Sequence, residues 1–302
     1  MSLITIITPT YNRKEYLQKL YQSLVVQTNK NFKWIVVDDG STDNTRDFFG
    51  KFIEKQNHEF EIQYIYQKNG GKHTALNRAI EFVDTELVFI VDSDDYLPEN
   101  SIQIILSYYE KFNEIKEREN LCGYSFLRCH ADGKVNTAYF PENEKIDSYC
   151  NVRINGNIGG DKAEVYYTDI LKKYPFPVFE GERFLAEDVI WMQMSGPYNM
   201  VHINENVYIC DYLEGGLTNT GRRMKIKSPK GMVLRSKIYL NDKNVCMKVK
   251  IKMMLLYIIY SGFAGINIKN AFKDISEKML FVLLCIPGLL IQQIWKKQLE
   301  SK

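Results

Sequence analysis

The six cysteines of this 302-residue chain, Cys122, Cys129, Cys150, Cys210, Cys246 and Cys285, include no Cys-x-x-Cys pair and no zinc-type spacing. That removes a structural zinc site and gives no sign of a disulfide framework. No secretory signal is read at the start, where the chain enters a strand-like run at once, so free thiols in the cytoplasm are expected. Internal repeats and low-complexity segments are missing too. Acidic residues are scarce at one end: from Arg222 onward there are 17 Lys/Arg against 4 Asp/Glu, a balance of +13, while the remainder carries −11. Such a split predicts two surfaces with different partners. Nucleic acid is not one of them, because no known binding motif accompanies the basic end. With 45% hydrophobic and 25% charged residues the composition is otherwise that of a globular protein. The length suits one large domain, or a domain with an appendage.

The most informative feature present is Leu87-Val88-Phe89-Ile90-Val91 followed by Asp92-Ser93-Asp94-Asp95. The apolar run reads as a buried strand ending near Asp92. Three carboxylates within four residues repel one another and need cations to stay ionised. A divalent metal is the usual partner, since Mg²⁺ and Mn²⁺ favour carboxylate, water and phosphate oxygens. Pro98 is expected to open the next helix.

Three further strand-like runs precede this one, Leu3–Thr8, Lys33–Asp38 and Ile62–Tyr66, with helical patterns between them. In the first helix Tyr16, Leu17, Leu20, Tyr21, Leu24 and Val25 recur at helical spacing, with Asn12 and Glu15 placed for a capping box. Strands alternating with helices predict a mostly parallel sheet. Ligands of such sheets bind beyond the carboxyl ends of the strands. There the sequence places Thr8-Pro9-Thr10-Tyr11-Asn12-Arg13, Asp38-Asp39-Gly40-Ser41-Thr42-Asp43, Asn69-Gly70-Gly71-Lys72-His73 with Asn77, and Asp92-Ser93-Asp94. Each segment alone also suits a turn or a helix cap. Four in succession at strand ends point to a site.

Taken together these segments resemble glycosyltransferase family 2, whose pattern of Pro-x-Tyr-Asn, Val-Asp-Asp-Gly-Ser-x-Asp, Asn-x-Gly…Ala-x-Asn and Asp-x-Asp-Asp stands at Pro9–Asn12, Val37–Asp43, Asn69–Asn77 and Asp92–Asp95. The likeness is strongest over residues 1–100 and looser to residue 215. It implies the α/β glycosyltransferase A-type fold, Rossmann-like, with a mostly parallel central sheet, flanking helices and here a helical C-terminal region. It also implies a catalytic domain over residues 1–221, with a nucleotide-binding half to residue 100 and an acceptor half from 101 to 221. By the resemblance Pro9 and Tyr11 flank the base of the donor, expected to be a UDP-sugar. Asp39 accepts from the base N–H, Asn69 and Asp92 sit in the nucleotide site, and Asp94 ligates a Mn²⁺ or Mg²⁺ ion bridging the two phosphates. Lys72, beside a glycine turn and a helix start, suits a phosphate contact. Asn77, Ser93 and Asp95 are further donor-sugar or loop candidates. His73 is read as structural.

Beyond residue 100 the runs Leu121–Arg128, Val135–Phe140 and Glu164–Thr168 read as short strands, and residues 155–161 as a flexible loop facing an acceptor. Glu187-Asp188 precedes an apolar helical stretch, where acids complement a helix dipole. The pair is similar to the family's Glu-Asp motif, which implies that Asp188 is the base that deprotonates the acceptor hydroxyl in an inverting displacement. Tyr212–Asn219 reads as a glycine-bearing loop leading to Arg222 and Arg223, which could close over a diphosphate. A Gln-x-x-Arg-Trp motif, carried by the family's processive synthases, is not found, so single-sugar addition is expected.

Residues 222–302 read as a basic, apolar helical tail, associated with a membrane or with another copy in a homo-oligomer. Its last apolar stretch, Met279–Ile291, is slightly short for a span and is expected to break at Pro287-Gly288, with Trp295 and Lys296 flanking it. The resulting expectation is a metal-dependent transferase of one sugar to a glycan or lipid-linked glycan in surface polysaccharide assembly, peripheral on the inner face of the cell membrane. The alternative is a catalytically silent, membrane-anchored nucleotide-sugar or glycan-binding module. A sugar-1-phosphate nucleotidyltransferase would need a Gly-rich, Arg-bearing loop after the first strand, and Pro9-Thr10-Tyr11-Asn12 does not supply one.

Overall fold

A computed structural model of the chain describes residues 2–53, 58–210 and 217–300. The chain divides into two compact units, one of Met1–Ser148, Ile158–Pro175 and Pro197–Tyr212, the other of Tyr149–Asn157, Phe176–Gly196 and Leu213–Lys302. The segment around Glu187-Asp188 thus groups with the basic tail.

The first unit is built on one sheet. Strands β1 (Ile4–Thr10), β2 (Phe32–Asp38), β3 (Glu61–Tyr66) and β4 (Leu87–Ile90) alternate with helices α1 (Lys14–Val25), α2 (Thr45–Ile53) and α3 (Lys72–Glu81), and α4 (Ser101–Phe112) follows β4. Then come β5 (Leu121–Cys129), β6 (Lys145–Asp147), β7 (Ala163–Tyr167), the short α5 (Thr168–Leu171) and β8 (Asn199–Ile209). The order across the sheet is β3-β2-β1-β4-β7-β5-β8-β6. The pairs β1–β2, β1–β4, β2–β3 and β5–β8 are parallel, and β7 and β6 run antiparallel to their neighbours. The central strands β1 and β4 are almost wholly buried on both faces, as a sheet covered by helices on each side requires. The α/β, mostly parallel architecture with a helical C-terminal region is as the sequence implied.

Several local expectations are corrected. Asn12 does not cap α1. It sits at φ +52° and its side-chain oxygen accepts the Thr42 N–H at 2.7 Å, while Asp43 receives the Lys14 N–H at 3.1 Å and so serves the helix start from the neighbouring loop. Pro98 lies ahead of α4, which begins at Ser101. Residues 135–140 form no strand: Val135 makes only an isolated bridge to Cys129, and the sheet edge is taken by β6. Strand β8 was not visible in the sequence because Asn204-Glu205-Asn206 interrupts its apolar pattern. The register shifts along β5–β8, at Ser125/Leu127 and Leu127/Arg128, absorb that polar stretch.

The second unit is helical: α6 (Asp188–Met194), α7 (Leu217–Lys227), α8 (Pro229–Asn241), α9 (Met247–Phe263), α10 (Ile268–Asp274) and α11 (Lys278–Glu300). Buried Glu182 accepts the Lys230 and Gly231 N–H groups at 2.8 and 2.9 Å, closing the start of α8. Asn155 is held rather than loose, at the end of a π-helical turn, bonded to the Asn244 carbonyl and the Cys246 N–H. Pro287 does not end α11, which runs through it. The adjacent Gly288 lies so close to Ile258 of α9 that a Cβ there would come within 2.8 Å, so packing on α9 supports the helix on both sides of the proline. All six cysteines are free.

Candidate active site

The polar residues at the carboxyl ends of β1, β2, β3 and β4 form a connected network. The Asp39 carboxylate, just after β2, is buried. One oxygen accepts from Gln67 at 2.7 Å and from the Gly70 N–H at 2.9 Å, and the other accepts the Gly71 N–H at 2.8 Å. Asn69 donates to the Asp39 carbonyl at 2.8 Å. Asp39, expected to meet a base N–H, is therefore first the anchor of the Gly70-Gly71 turn, with lone-pair capacity left on the second oxygen. Gly40 must be glycine here: its φ is +82°, and a Cβ would lie 2.7 Å from the Asn69 nitrogen. Gly71, at φ +97°, delivers the chain into α3, whose first residues are Lys72 and buried His73. Burial holds the His73 imidazole below its ordinary pKa, against the opposing pull of Asp39. Its Nδ1 has no hydrogen-bond partner among the described residues. Asn77 is half-buried one turn further along α3, and Tyr11, beyond β1, is 46% exposed.

Strand β4 stops at Ile90, so Asp92, Ser93, Asp94 and Asp95 lie in the turn beyond it. Each carboxylate has a cation or donor. Lys72 Nζ is 2.5 Å from Asp92 Oδ1, Arg13 pairs with Asp94, and Arg128 Nη1 stands 3.7 Å from Asp95 and 4.0 Å from Asp92. The Tyr208 hydroxyl closes the turn, accepting the Asp92 N–H at 2.9 Å and donating to Asp95 Oδ2 at 2.8 Å. Arg128 stacks over the Tyr208 ring at 4.0 Å and donates through Nε to the Lys162 carbonyl at 2.8 Å. Burial pushes the Asp92 carboxyl up, but the charges of Lys72, Arg128 and Arg13 outweigh it and leave it below the usual range. For Asp95 burial and the Asp92 charge win over Arg128 and Tyr208, and its carboxyl is pushed up to about 7. The three acids thus differ by environment.

Among the described residues no group of three or more His, Cys, Asp or Glu side chains is arranged to hold a metal ion. An all-protein cage is not what a Mg²⁺ or Mn²⁺ shared with phosphates needs, because one or two carboxylates suffice when substrate oxygens and water complete the shell. Asp92 and Asp94, 25% and 29% exposed beside two cations, fit that minimal mode.

Asp188 and Glu187 lie in the second unit. Glu187 precedes α6 and Asp188 is its first residue. Asp188 is gripped by Arg235 of α8, whose Nε donates to Oδ1 at 2.7 Å and to Oδ2 at 2.8 Å and whose Nη2 reaches Oδ2 at 2.5 Å. The Tyr239 hydroxyl donates to Oδ2 at 2.7 Å. Burial alone would raise the Asp188 carboxyl, but Arg235, then Tyr239 and Lys225, hold it below the usual range. Arg222 and Arg223 are on helix α7 rather than in a loop. Arg222 stacks over Trp295 at 4.8 Å, and the glycine-bearing stretch 211–216 lies outside the described residues.

Sequence reasoning missed Arg13, Gln67, Arg128, Tyr208, Arg235 and Tyr239. Arg128 carried a signal: a lone charge in the apolar strand Leu121–Cys129 must be paired if buried. Arg13 directly follows the first motif. Tyr208, Arg235 and Tyr239 come from segments with no local pattern to mark them.

Residues 5–115 match the family model described as Glycosyl transferase family 2. Glycosyltransferase GlyG of Streptococcus pneumoniae serotype 4 is 26% identical over 228 residues, covering 72% of this chain and 73% of that protein. TuaG of Bacillus subtilis, named for teichuronic acid biosynthesis, is 31% identical over 124 residues, 41% of this chain and 45% of that protein. GlyA of the same Streptococcus is 36% identical over 111 residues, only 15% of its length. Among solved structures, S. aureus TarS 1-349 in complex with UDP-GlcNAc aligns with a TM-score of 0.63 at 21% identity, over 95% of this chain and 79% of that one. The mannosyltransferase PcManGT from Pyrobaculum calidifontis, in complex with GDP-Man and Mn²⁺, gives 0.58 at 16% identity, over 97% of this chain and 83% of that one. At these identities the structural likeness is one of fold. The strand ends that carry the Asp39 and Asp92–Asp95 network fall within residues 5–115, the part of the chain that matches glycosyltransferase family 2.

Proposed function

We propose that the protein is a metal-dependent, inverting glycosyltransferase that moves one sugar from a nucleoside-diphosphate sugar, a UDP-sugar by preference, to a glycan or lipid-linked glycan in surface polysaccharide assembly. The observation that carries this reading is the turn after β4, where Asp92, Asp94 and Asp95 are held against Lys72, Arg13 and Arg128. Cations poised beside carboxylates at a strand end suit a diphosphate: Lys72 and Arg13 can exchange a carboxylate for phosphate oxygens, freeing Asp92 and Asp94 for the ion. The ion, when bound, supplies Lewis-acid stabilisation of the leaving diphosphate. Pro9 and Tyr11 are assigned to the base, with Asp39 and Asn69 shaping the loop around it. Asn77, Ser93, Asp95 and Glu187 are assigned to the donor sugar or its loops. Arg222 and Arg223 are weaker candidates for the diphosphate, because Arg222 is engaged by Trp295. Asp188 is assigned as the base. It takes the acceptor hydroxyl proton, the oxygen bonds to the anomeric carbon, and the bond from that carbon to the diphosphate oxygen breaks on the opposite face. The UDP-GlcNAc and GDP-Man complexes of the fold neighbours support a nucleotide-sugar donor. The name of TuaG supports the polysaccharide setting.

The tail supports a cytoplasmic enzyme resting on the membrane. Helix α11 is, by length and composition, long and apolar enough to cross a bilayer, with a mean hydropathy of 1.7 over an 18-residue window within Lys278–Leu299. Its Phe281 and Gly288 face inward, while Met279, Val282, Leu283, Ile286, Leu290 and Ile294 are 54–79% exposed and fall on one face at helical spacing. An apolar stripe on a segment of +13 net charge, with lysines at both ends of the helix, matches an anionic lipid surface. A homo-oligomer through the same stripe is the competing occupant.

The deciding experiment is hydrolysis of UDP-, GDP- and dTDP-sugars without acceptor, in Mn²⁺, Mg²⁺ or EDTA, for wild type and Asp94→Ala. Release of one nucleoside diphosphate, lost with EDTA and in the variant, is expected. No hydrolysis and no metal-dependent binding of any of these sugars would overturn the reading.

A further inference from the structure

The basic tail contributes more than a surface. Helix α8 belongs to it, and α8 places two side chains one turn apart, Arg235 and Tyr239, on the carboxylate of Asp188. The four contacts are unevenly shared. Among the described residues Oδ2 receives Arg235 Nη2, the Tyr239 hydroxyl and a share of the Arg235 Nε–H, whereas Oδ1 receives only that shared Nε–H. A carboxylate oxygen has room for about two donors, so Oδ2 is saturated and, among the described residues, Oδ1 keeps room for one more. The fork is itself fixed: the guanidinium lies 4.9 Å from the Tyr239 ring centre, and Nη1 meets the Met253 sulfur of α9 at 3.7 Å. Tyr239 is buried, and Ser236 between the two is bonded back to the Met232 carbonyl.

We infer that Arg235 and Tyr239 are positioning residues that hold Asp188 ionised and present Oδ1 as its basic oxygen. The inference rests on the reading of Asp188 as the base. The groups that set the charge at Asp188 are Arg235 and Tyr239 from α8 and Lys225 from α7, with Tyr149 facing Arg235 and Lys252 facing Lys225. Arg235 dominates, and an opposite charge at this range lowers a carboxyl by roughly one to three pH units. An Asp held too low is a weak base, so the clamp trades basicity for a fully ionised carboxylate whose proton-accepting atom is fixed.

Two readouts test this on the full chain. One is the titration of Asp188, read as the carboxyl signal present in ¹³C-Asp-labelled wild type and missing from Asp188→Asn. The other is the pH profile of acceptor-independent hydrolysis of UDP-GlcNAc, UDP-glucose or UDP-galactose in Mn²⁺, whichever turns over fastest. In Arg235→Gln the Asp188 signal and the acid limb of the rate profile are expected to move up together by about one unit or more, a roughly tenfold rate loss at the acid end. Arg235→Lys should restore part of the shift, and Tyr239→Phe should give a smaller shift in the same direction. If Arg235→Gln does not fold, Tyr239→Phe, which removes one oxygen, decides by the same criteria. An Asp188 signal that stays in place, or one that moves while the rate profile does not, overturns the inference and leaves the base reading standing. Wild-type hydrolysis by Asp188→Asn overturns both.

Discussion

Replacing Tyr208 with phenylalanine should unseat the turn that carries Asp92, Asp94 and Asp95. The hydroxyl is the only part removed, and the ring that Arg128 stacks upon at 4.0 Å stays. Two bonds go with it: the Asp92 N–H loses its acceptor at 2.9 Å, and Asp95 loses a donor at 2.8 Å. Tyr208 is fully buried, so no water stands ready to replace the hydroxyl. An orphaned buried N–H costs about 1–3 kcal/mol, and a bond to an ionisable carboxylate is worth about 1.5–3 kcal/mol. Since the two losses share one site, about 2–4 kcal/mol of stability is expected to disappear. Urea unfolding followed by the fluorescence of Trp34, which is buried in the same unit, measures this directly. Calorimetric binding of UDP with Mn²⁺ should weaken in parallel, because the loosened turn carries the carboxylates. An unfolding free energy within about 0.5 kcal/mol of wild type, together with unchanged UDP binding, would refute the argument that this hydroxyl holds the site.

Gly40→Ala forces a Cβ to 2.7 Å from the Asn69 nitrogen at φ +82°, and should lower the unfolding free energy by at least about 1–2 kcal/mol and weaken UDP binding, both measured as above. Asp188→Asn leaves Arg235, 19% exposed, without its carboxylate, a loss of about 1.5–3 kcal/mol at pH 7. Because the folded-state carboxyl is held below its unfolded value of 3.8, the wild-type advantage is fully present above about pH 4 and vanishes as pH falls through the folded value, so melting curves of the two proteins should converge only at strongly acid pH. Ile286→Glu with Leu290→Glu should abolish sedimentation with anionic phosphatidylglycerol vesicles while leaving donor hydrolysis intact; loss of a dimer in ultracentrifugation with unchanged vesicle binding would assign the stripe to a second copy instead.

What the sequence disclosed and what it hid divide along a physical line. Local signals were legible. The apolar runs of β1, β2, β3 and β4 alternate with helical stripes, and each turn residue sits where its own strand ends, so the parallel half of the sheet and its rim of Pro9, Asp39, Asn69, Lys72 and Asp92–Asp95 could be read segment by segment. Contacts made by distant segments were not. Arg128 and Asp92 are brought together by β5 and the turn after β4, and Tyr208 reaches the same turn from β8, a strand concealed by its own polar middle. The three acids look equivalent in sequence, yet Asp92 is held low by its pairing with Lys72 and by Arg128, whereas burial and the neighbouring Asp92 charge push Asp95 up to about 7. The same holds for Asp188. Its position at the head of an apolar helix suggested a helix-dipole acid or a base, and only the fold shows that the basic tail supplies its counter-charge through Arg235. A tail read as a membrane contact therefore has a second face. The stripe on α11 points to solvent, while α8 of the same unit holds the carboxylate assigned to the chemistry, so a deletion of the tail should remove the base's support along with the lipid contact. Truncation before α8 is accordingly expected to abolish hydrolysis even in detergent, whereas the double glutamate change on α11 should not; equal activity of both proteins would show that α8 has no part in holding Asp188.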